Sequence, residues 1–288
     1  MLEPALRFVQ CLDRQRLHRM AYWEWGDPGN RHVLVCVHGL TRQGRDFDAL
    51  ARGLCARYRV VCPDVVGRGR SDWLADPLQY ENGTYVADMV TLLARLDAET
   101  VDWVGTSMGG LIGMRLASLS GSPIRALVIN DVGPTLDPAG LARIGSYVGA
   151  PVRFGTEEEG IEYLASVAKS FGPHTREEWR ALNRPMLKKA GDGEGFVLHY
   201  DPGIAVPFKS MTPAAIAAAE ANMWQRYDAI RARTLVIRGA ESDLLSADTA
   251  EQMARRGPRA TVQEVRGVGH APTLVAEEQI ALVREFLS

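Results

Sequence analysis

The stretch "VDWVGTSMGG", residues 101 to 110, decides the fold class. It opens with an apolar run typical of a buried strand and continues beyond residue 110 in a pattern compatible with a helix. Ser107 therefore lies at a strand-to-helix turn, between Gly105 and Gly109. Small neighbours leave the space that a tight, strained turn needs. This is the context that a nucleophile elbow requires, but the stretch alone fits a glycine-rich turn with a serine cap equally well.

Similar apolar runs recur along the chain and predict further strands. They read "HVLVCVH" (32–38), "YRVVCPD" (58–64), "IRALVIND" (124–131), "TLVIRG" (234–239) and "TVQEV" (261–265). Helical patterns lie between several of them, and the runs lack polar alternation. Both features indicate a mostly parallel sheet with helices on its two faces, an α/β fold. The segments "LRFVQCLD" and "HRMAYWEWGD" alternate better and predict an antiparallel hairpin at the sheet edge.

The strand-helix alternation stops between residues 134 and 225. This part of the chain contains helical patterns and no strong buried strand. Long excursions from a compact domain tend to be functional. We therefore predict a core domain formed by 1–133 and 226–288, and a helical lid domain formed by 134–225.

Candidate partners for the serine follow later strands in the order serine, acid, histidine. His270, in the loop "VRGVGHAPTL", is the predicted base that takes the serine proton and returns it to the leaving group. Asp243, in "TLVIRGAESDLLS", is the predicted carboxylate that orients the imidazole. Asp131, at the end of "IRALVIND", is its rival, with a structural role in the following turn as the alternative.

Acyl transfer also requires donors for a developing oxyanion. The strand ending at His38 is followed by Gly39, where the backbone is free to turn. The backbone N–H groups of Leu40 and of Met108, directly after the nucleophile, are the predicted oxyanion hole. His38 itself is predicted to brace this loop.

Composition excludes several classes of partner. The 33 Lys and Arg residues against 35 Asp and Glu residues give a formal charge of −2, which does not favour nucleic acid or anionic membranes. The four cysteines show no C-x-x-C pair and no metal-type spacing with histidine, so reduced thiols and no metal site are expected. Acids and bases interrupt the N-terminal stretch where a signal peptide would be apolar. We therefore expect a cytoplasmic protein.

Taken together, these motifs resemble the α/β-hydrolase superfamily, in its lid-bearing branch of serine esterases. The resemblance rests on "HGLTRQGRDFD" (38–48), "PDVVGRGRSD" (63–72), "GTSMGG" (105–110), "GAESDLLS" (239–246) and "GVGHAP" (267–272). It implies an eight-stranded, mostly parallel sheet with the second strand antiparallel and a helical lid inserted after the sixth strand. It also implies no cofactor, and a loop braced by Asp64.

The implied function is a serine hydrolase that cleaves small to medium carboxylic esters through an acyl-enzyme on Ser107. Three alternatives stay open: a carbon-carbon bond hydrolase of aromatic catabolism, a perhydrolase, and a receptor that binds ligands without turnover. Ala271 departs from the aromatic residue that typically follows the histidine in the carbon-carbon hydrolases. The expected partner is a small ester-like molecule, and a homodimer is left open.

Overall fold

The computed structural model describes residues 3–210 and 212–288. In chain order its strands are β1 (Ala5–Leu12), β2 (Leu17–Trp25), β3 (Val33–Val37), β4 (Arg59–Pro63), β5 (Val101–Thr106), β6 (Ile124–Asn130), β7 (Arg153–Phe154), β8 (Leu187–Lys189), β9 (Phe196–Leu198), β10 (Arg233–Gly239) and β11 (Thr261–Val265). Its helices are α1 (Asp48–Leu54), α2 (Asn82–Leu96), α3 (Met108–Ala117), α4 (Pro138–Tyr147), α5 (Glu157–Val167), α6 (Arg176–Asn183), α7 (Ala205–Lys209), α8 (Pro213–Ala229), α9 (Ala247–Arg255) and α10 (Glu277–Leu287).

Eight strands form the central sheet in the order β1-β2-β4-β3-β5-β6-β10-β11. Strand β2 runs antiparallel to both of its neighbours, β1 and β4. The five remaining strand pairs are parallel. The predicted α/β fold, its antiparallel second strand and its opening hairpin are thus confirmed.

Apolar side chains cover both faces of this sheet. One buried cluster joins α2, α3 and α8 to the sheet, and the other joins α1 and α10 to its opposite face. Strand β3 is buried at all five positions, which explains why its sequence shows no polar alternation. Cys36 and Cys62, expected to be reduced and buried, are free thiols with no exposed surface.

Among the described residues between β6 and β10 there are five α-helices, α4 to α8, in agreement with the helical pattern of this segment. It also contains a sheet that the sequence did not predict, with strand order β7-β9-β8. These strands have only two or three residues each, too few to show a period-two pattern. The division of the chain into a core and a lid domain stays a prediction.

None of the helices in the two described ranges is both long and apolar enough to cross a bilayer.

The glycines around Ser107 are required by close backbone contacts. A Cβ added to Gly109 would lie 1.9 Å from the carbonyl oxygen of Val37. We expect Gly109→Ala to lower the free energy of unfolding by about 3 kcal/mol or more, because backbone must move to relieve the overlap. Gly191→Ala is the control, since an added Cβ there meets no atom of the described chain within 4 Å. Equal urea unfolding midpoints for the two variants would contradict the expectation.

Candidate active site

Ser107 occupies the predicted turn between β5 and α3, in a strained backbone conformation. Its φ of 52° and ψ of −116° are unusual for a residue with a side chain. The turn is held by hydrogen bonds: the Ser107 N–H donates to the carbonyl of Asn130 (2.9 Å), and the Ser107 carbonyl accepts from the N–H of Gly110 (2.8 Å). The strain is thus maintained by a neighbouring strand and by the first turn of α3.

A chain of hydrogen bonds links Ser107 to a buried carboxylate through His270. The Ser107 hydroxyl lies 3.0 Å from Nε2 of His270, and Nδ1 of His270 lies 2.8 Å from Oδ2 of Asp131. Asp131 is fully buried and His270 is 6% exposed. The Asp131 carboxylate accepts a hydrogen bond from the Nδ1–H of His270, so the proton stays on Nδ1 and Nε2 is free to accept the serine proton.

The carboxylate beside His270 is Asp131, so the prediction that Asp243 orients the imidazole is wrong for this structure. The Asp243 carboxylate instead accepts two hydrogen bonds from Arg143, from Nε (2.5 Å) and from a terminal nitrogen (2.8 Å). Those hydrogen bonds hold the pKa of Asp243 below its usual range. The side chain therefore forms an ion pair at the site and does not contact the histidine.

Backbone geometry explains the difference between the two acids. Asp131 follows the last residue of β6 directly and has a φ of 56°, whereas Asp243 lies four residues beyond the end of β10. The Asp131 carboxylate also accepts hydrogen bonds from the N–H of Gly239 and the hydroxyl of Ser242, both at 2.7 Å. These contacts fix the carboxylate toward His270. In the sequence Asp131 directly follows the apolar run "LVIN", but that pattern does not show that its carboxylate turns toward His270.

The predicted oxyanion donors lie around Ser107. A Cβ added to Gly39 would be 3.7 Å from the Cβ of Ser107, so the turn after β3 packs against the serine. Leu40 and Ser107 line two cavities in common, and Met108 lines one of them. The N–H groups of Leu40 and Met108 have no hydrogen-bond acceptor among the described residues. Their role as an oxyanion hole stays a prediction.

His38 braces this turn, as predicted. Its Nε2 accepts the backbone N–H of Val65 (2.9 Å), so Nδ1 carries the proton and donates to the carbonyl of Gly39 (2.7 Å). Burial lowers the pKa of His38 to about 3, which keeps the ring neutral. A trans peptide directs its N–H away from its C=O. By holding the Gly39 carbonyl, His38 thus turns the N–H of Leu40 to the opposite side.

Arg68 is a part of the site that sequence reasoning missed. Its guanidinium is fully buried and donates to the carbonyl of Leu40 (2.9 Å) and to the Tyr85 hydroxyl (3.0 Å). A terminal nitrogen also lies 3.6 Å from the sulfur of Met108. Arg68 therefore fixes both residues of the predicted oxyanion hole. Arg68 belongs to the motif "GRGRSD", but nothing in that motif indicates that its side chain points into the protein.

Asp64 braces the loop that carries Arg68, as the resemblance implied. Its carboxylate accepts the N–H groups of Gly44 (2.8 Å) and Arg70 (2.9 Å). Burial raises the pKa of Asp64 to about 6. The loop is therefore fastened by buried polar contacts.

Two cavities of unequal size meet at Ser107. The larger, about 330 Å³, is mostly apolar, and its lining includes Tyr85, Leu111, Leu141, Phe208 and Met223. The smaller, about 90 Å³, includes His270, Arg42, Arg143, Tyr147 and Phe171. Ser107, Leu40 and Ile144 line both cavities. A bound molecule can therefore extend in two directions from the serine hydroxyl.

The fold brings one cysteine close to other metal-type side chains, although their spacing in sequence gave no such signal. Donor atoms of Cys11, His18 and Asp88 lie within 4.8 Å of one another, and all three residues are buried. His18 Nε2 is 3.1 Å from Asp88, a hydrogen bond that accounts for this contact without an ion. None of the three lines either cavity at Ser107.

Both a family model and a similar curated protein relate this chain to hydrolases. The family model described as "Alpha/beta hydrolase family" matches residues 34–283. The chain is 58% identical over 287 residues to a 3-hydroxybutyrate-oligomer hydrolase of Cupriavidus necator, covering 99% of this chain and 98% of that protein.

Two solved structures share the fold over nearly their whole length. An alpha/beta hydrolase of Novosphingobium aromaticivorans is 35% identical with a TM-score of 0.87, covering 100% of this chain and 99% of that chain. A Rickettsia typhi protein whose structure is described as that of a "Putative Hydrolase" is 30% identical with a TM-score of 0.88, covering 98% of each chain.

Proposed function

Because the chain belongs to the alpha/beta hydrolase family, we propose that it cleaves carboxylic esters through an acyl-enzyme on Ser107. The observation that carries this proposal is the buried hydrogen-bond chain from the Ser107 hydroxyl through His270 to Asp131. Serine alone is a weak nucleophile and needs an adjacent base oriented by a third group. All three parts are within hydrogen-bond reach here.

In the first half-reaction His270 Nε2 takes the hydroxyl proton while Ser107 Oγ attacks the ester carbonyl carbon. Asp131 stabilises the imidazolium that forms, and it does so without taking the proton. The carbonyl oxygen becomes an oxyanion between the N–H groups of Leu40 and Met108, each worth roughly a hundred- to thousandfold in rate. The C–O bond then breaks, and His270 gives its proton to the departing alcohol.

In the second half-reaction water replaces the alcohol. His270 takes a proton from the water as it attacks the acyl carbon, a second oxyanion forms, and the bond to Ser107 Oγ breaks. The proton returns to Ser107, and the acid half leaves. Every step uses groups of this chain and water alone.

We further propose that residues 134–225 cover the site and select the substrate. Arg143, Tyr147 and Phe171 from this segment line the smaller cavity, and Phe208 lines the larger one. The hydroxyl of Ser170 also donates to the carbonyl of His270 (2.7 Å), so the segment contacts the loop that carries the base. A cover of this kind excludes bulk water from the first half-reaction.

The substrate class that we propose is an oligomer of 3-hydroxybutyrate. The sequence identity of 58% to a 3-hydroxybutyrate-oligomer hydrolase, over nearly the full length of both proteins, supports it. The two cavities support it as well, because cleavage within a linear ester chain needs space on both sides of the reacting carbonyl. The apolar lining of the larger cavity suits the methyl groups of such a chain.

Incubation with a linear 3-hydroxybutyrate trimer is expected to release monomer over many turnovers. Rapid acid quenching should leave a 3-hydroxybutyryl group on the peptide containing Ser107, detected by mass spectrometry. A fluorophosphonate should label the same residue and stop turnover, because it needs the activated hydroxyl.

Two outcomes would contradict the proposed function. Fluorophosphonate labelling of Ser107 without turnover of any ester would support the receptor alternative. Faster cleavage of a vinylogous diketone acid than of every oligoester would support the carbon-carbon hydrolase.

A further inference from the structure

We propose that Arg143 binds a carboxylate on the alcohol half of the substrate and so selects esters whose departing alcohol carries an acid. The inference rests on the proposed ester hydrolysis at Ser107, and it specifies from which end an oligomer is cleaved. An oligomer would lose its carboxyl-terminal unit first, as a free hydroxy acid.

The position of His270 relative to the two cavities sets this direction. His270 lines the smaller cavity and does not line the larger one, whereas Met108 lines the larger one alone. The departing alcohol must receive its proton from His270, so it has to lie on the histidine side of Ser107. The alcohol half therefore occupies the smaller cavity, and the acyl half occupies the larger one.

The guanidinium of Arg143 lines the smaller cavity, and only some of its N–H donors make hydrogen bonds within the protein. Asp243 accepts from its Nε and one terminal nitrogen, and the neutral Tyr147 hydroxyl is the other side-chain group near the guanidinium, so no second carboxylate of the described chain pairs with it. A guanidinium offers five N–H donors on a planar fork. One edge can remain on Asp243 while the other donates to a second carboxylate. The Arg143 side chain is 30% exposed, so a ligand can reach it.

Arg42, the other arginine of this cavity, is less suited to bind substrate. It donates two hydrogen bonds to Asp46, one to the side chain of Asn183 and one to the carbonyl of Leu182. Four of its five donors are thus used within the protein. Arg42 ties the turn after Leu40 to helix α6, which leaves Arg143 as the available cation.

Asp243 is a positioning residue in this arrangement. Its carboxylate holds Arg143, which lies one turn before Tyr147 on α4, against the mouth of the smaller cavity. Asp243 stays ionised there because the arginine lowers its pKa. The residue that the sequence suggested as the catalytic acid would instead hold the residue that recognises substrate.

In the terminal unit of a 3-hydroxybutyrate oligomer, the carboxylate lies close to the ester oxygen that departs. In a 3-hydroxybutyrate unit two carbons separate the alcohol oxygen from the carboxyl carbon. A terminal unit therefore places its ester oxygen and its carboxylate within one small cavity. A unit from the interior of the chain carries an ester in place of the carboxylate and gives Arg143 no charged partner.

A matched pair of substrates tests the proposal without any oligomer. 3-Acetoxybutyrate and its methyl ester share the acetyl group and differ in the charge of the alcohol half. We expect Arg143→Met to lower the ratio of kcat/KM for the free acid to kcat/KM for the methyl ester by about ten- to hundredfold, the range of a charge-assisted hydrogen bond. Arg180→Met is the control, since Arg180 is on the same segment, is half exposed and lines neither cavity.

A purely structural role of Arg143 would lower both rates and leave their ratio within twofold of the wild-type value, and that result would overturn the proposal. The double variant Arg143→Met/Asp243→Asn removes both charges of the ion pair and serves if the single variant folds poorly. Fluorophosphonate labelling of Ser107 reports an assembled site in each variant. Failure of the proposed function is a separate result, because either the unaltered protein would then hydrolyse neither substrate or Ser107→Ala would hydrolyse both.

Discussion

Replacing Ser107 by alanine is expected to lower kcat for ester hydrolysis about 10⁶-fold, the loss seen when a serine nucleophile is removed. The variant keeps the donors of the turn but has no atom that can form the acyl-enzyme. Turnover of p-nitrophenyl acetate and of a 3-hydroxybutyrate trimer measures the effect. We expect KM to change far less than kcat, since both cavities remain.

Ser118→Ala is the control for this experiment. Ser118 follows α3, and its hydroxyl donates within the helix end to the carbonyl of Arg115. Its loss is expected to leave kcat within twofold. Undiminished turnover by Ser107→Ala would show that another group attacks the ester.

Replacing Asp131 by asparagine is expected to lower kcat about 10⁴-fold, whereas Asp243→Asn should lower it less than tenfold for an uncharged ester. An amide at residue 131 can donate to Nδ1 of His270 and so favour the tautomer that carries its proton on Nε2. That tautomer cannot accept the proton of Ser107. Asp243 does not contact His270, so its charge influences the imidazole only through space.

The stability of the two variants must be compared before their rates are. Asp131 also accepts from the N–H of Gly239 and from Ser242, so its replacement disturbs buried hydrogen bonds. We expect a loss of about 1–3 kcal/mol in the free energy of unfolding, measured in urea. Rates are then taken where both variants are folded. A larger loss of kcat in Asp243→Asn than in Asp131→Asn would restore the assignment made from the sequence.

The sheet could be predicted because its central strands have a recognisable sequence pattern. Continuous apolar runs such as β3 and β5 result from burial on both faces, and the glycines at 105 and 109 result from backbone contacts too close for a Cβ. Strand and helix then alternate in the order that the parallel topology requires. These are local features, which a sequence records directly.

The choice between two acids could not be predicted in the same way. Asp131 and Asp243 both follow strands that precede His270 in the chain, and the strands β6 and β10 are neighbours. Which carboxylate reaches the imidazole depends on one backbone dihedral at residue 131 and on an arginine 100 residues before Asp243. Neither the dihedral at residue 131 nor the pairing of Arg143 with Asp243 produces a pattern that can be recognised in the sequence. The inward position of Arg68 and the small sheet β7-β9-β8 escaped prediction for similar reasons.

The meeting of two unequal cavities at Ser107 also sets an order of product release. With the acyl chain esterified to Ser107 in the larger cavity, the water of the second half-reaction has to approach from the side of His270. In the proposed mechanism the first alcohol fills that space, which His270 lines, until it departs. Alcohol release thus precedes hydrolysis, and an added small alcohol would compete with water for the vacated space and capture the acyl group as a new ester.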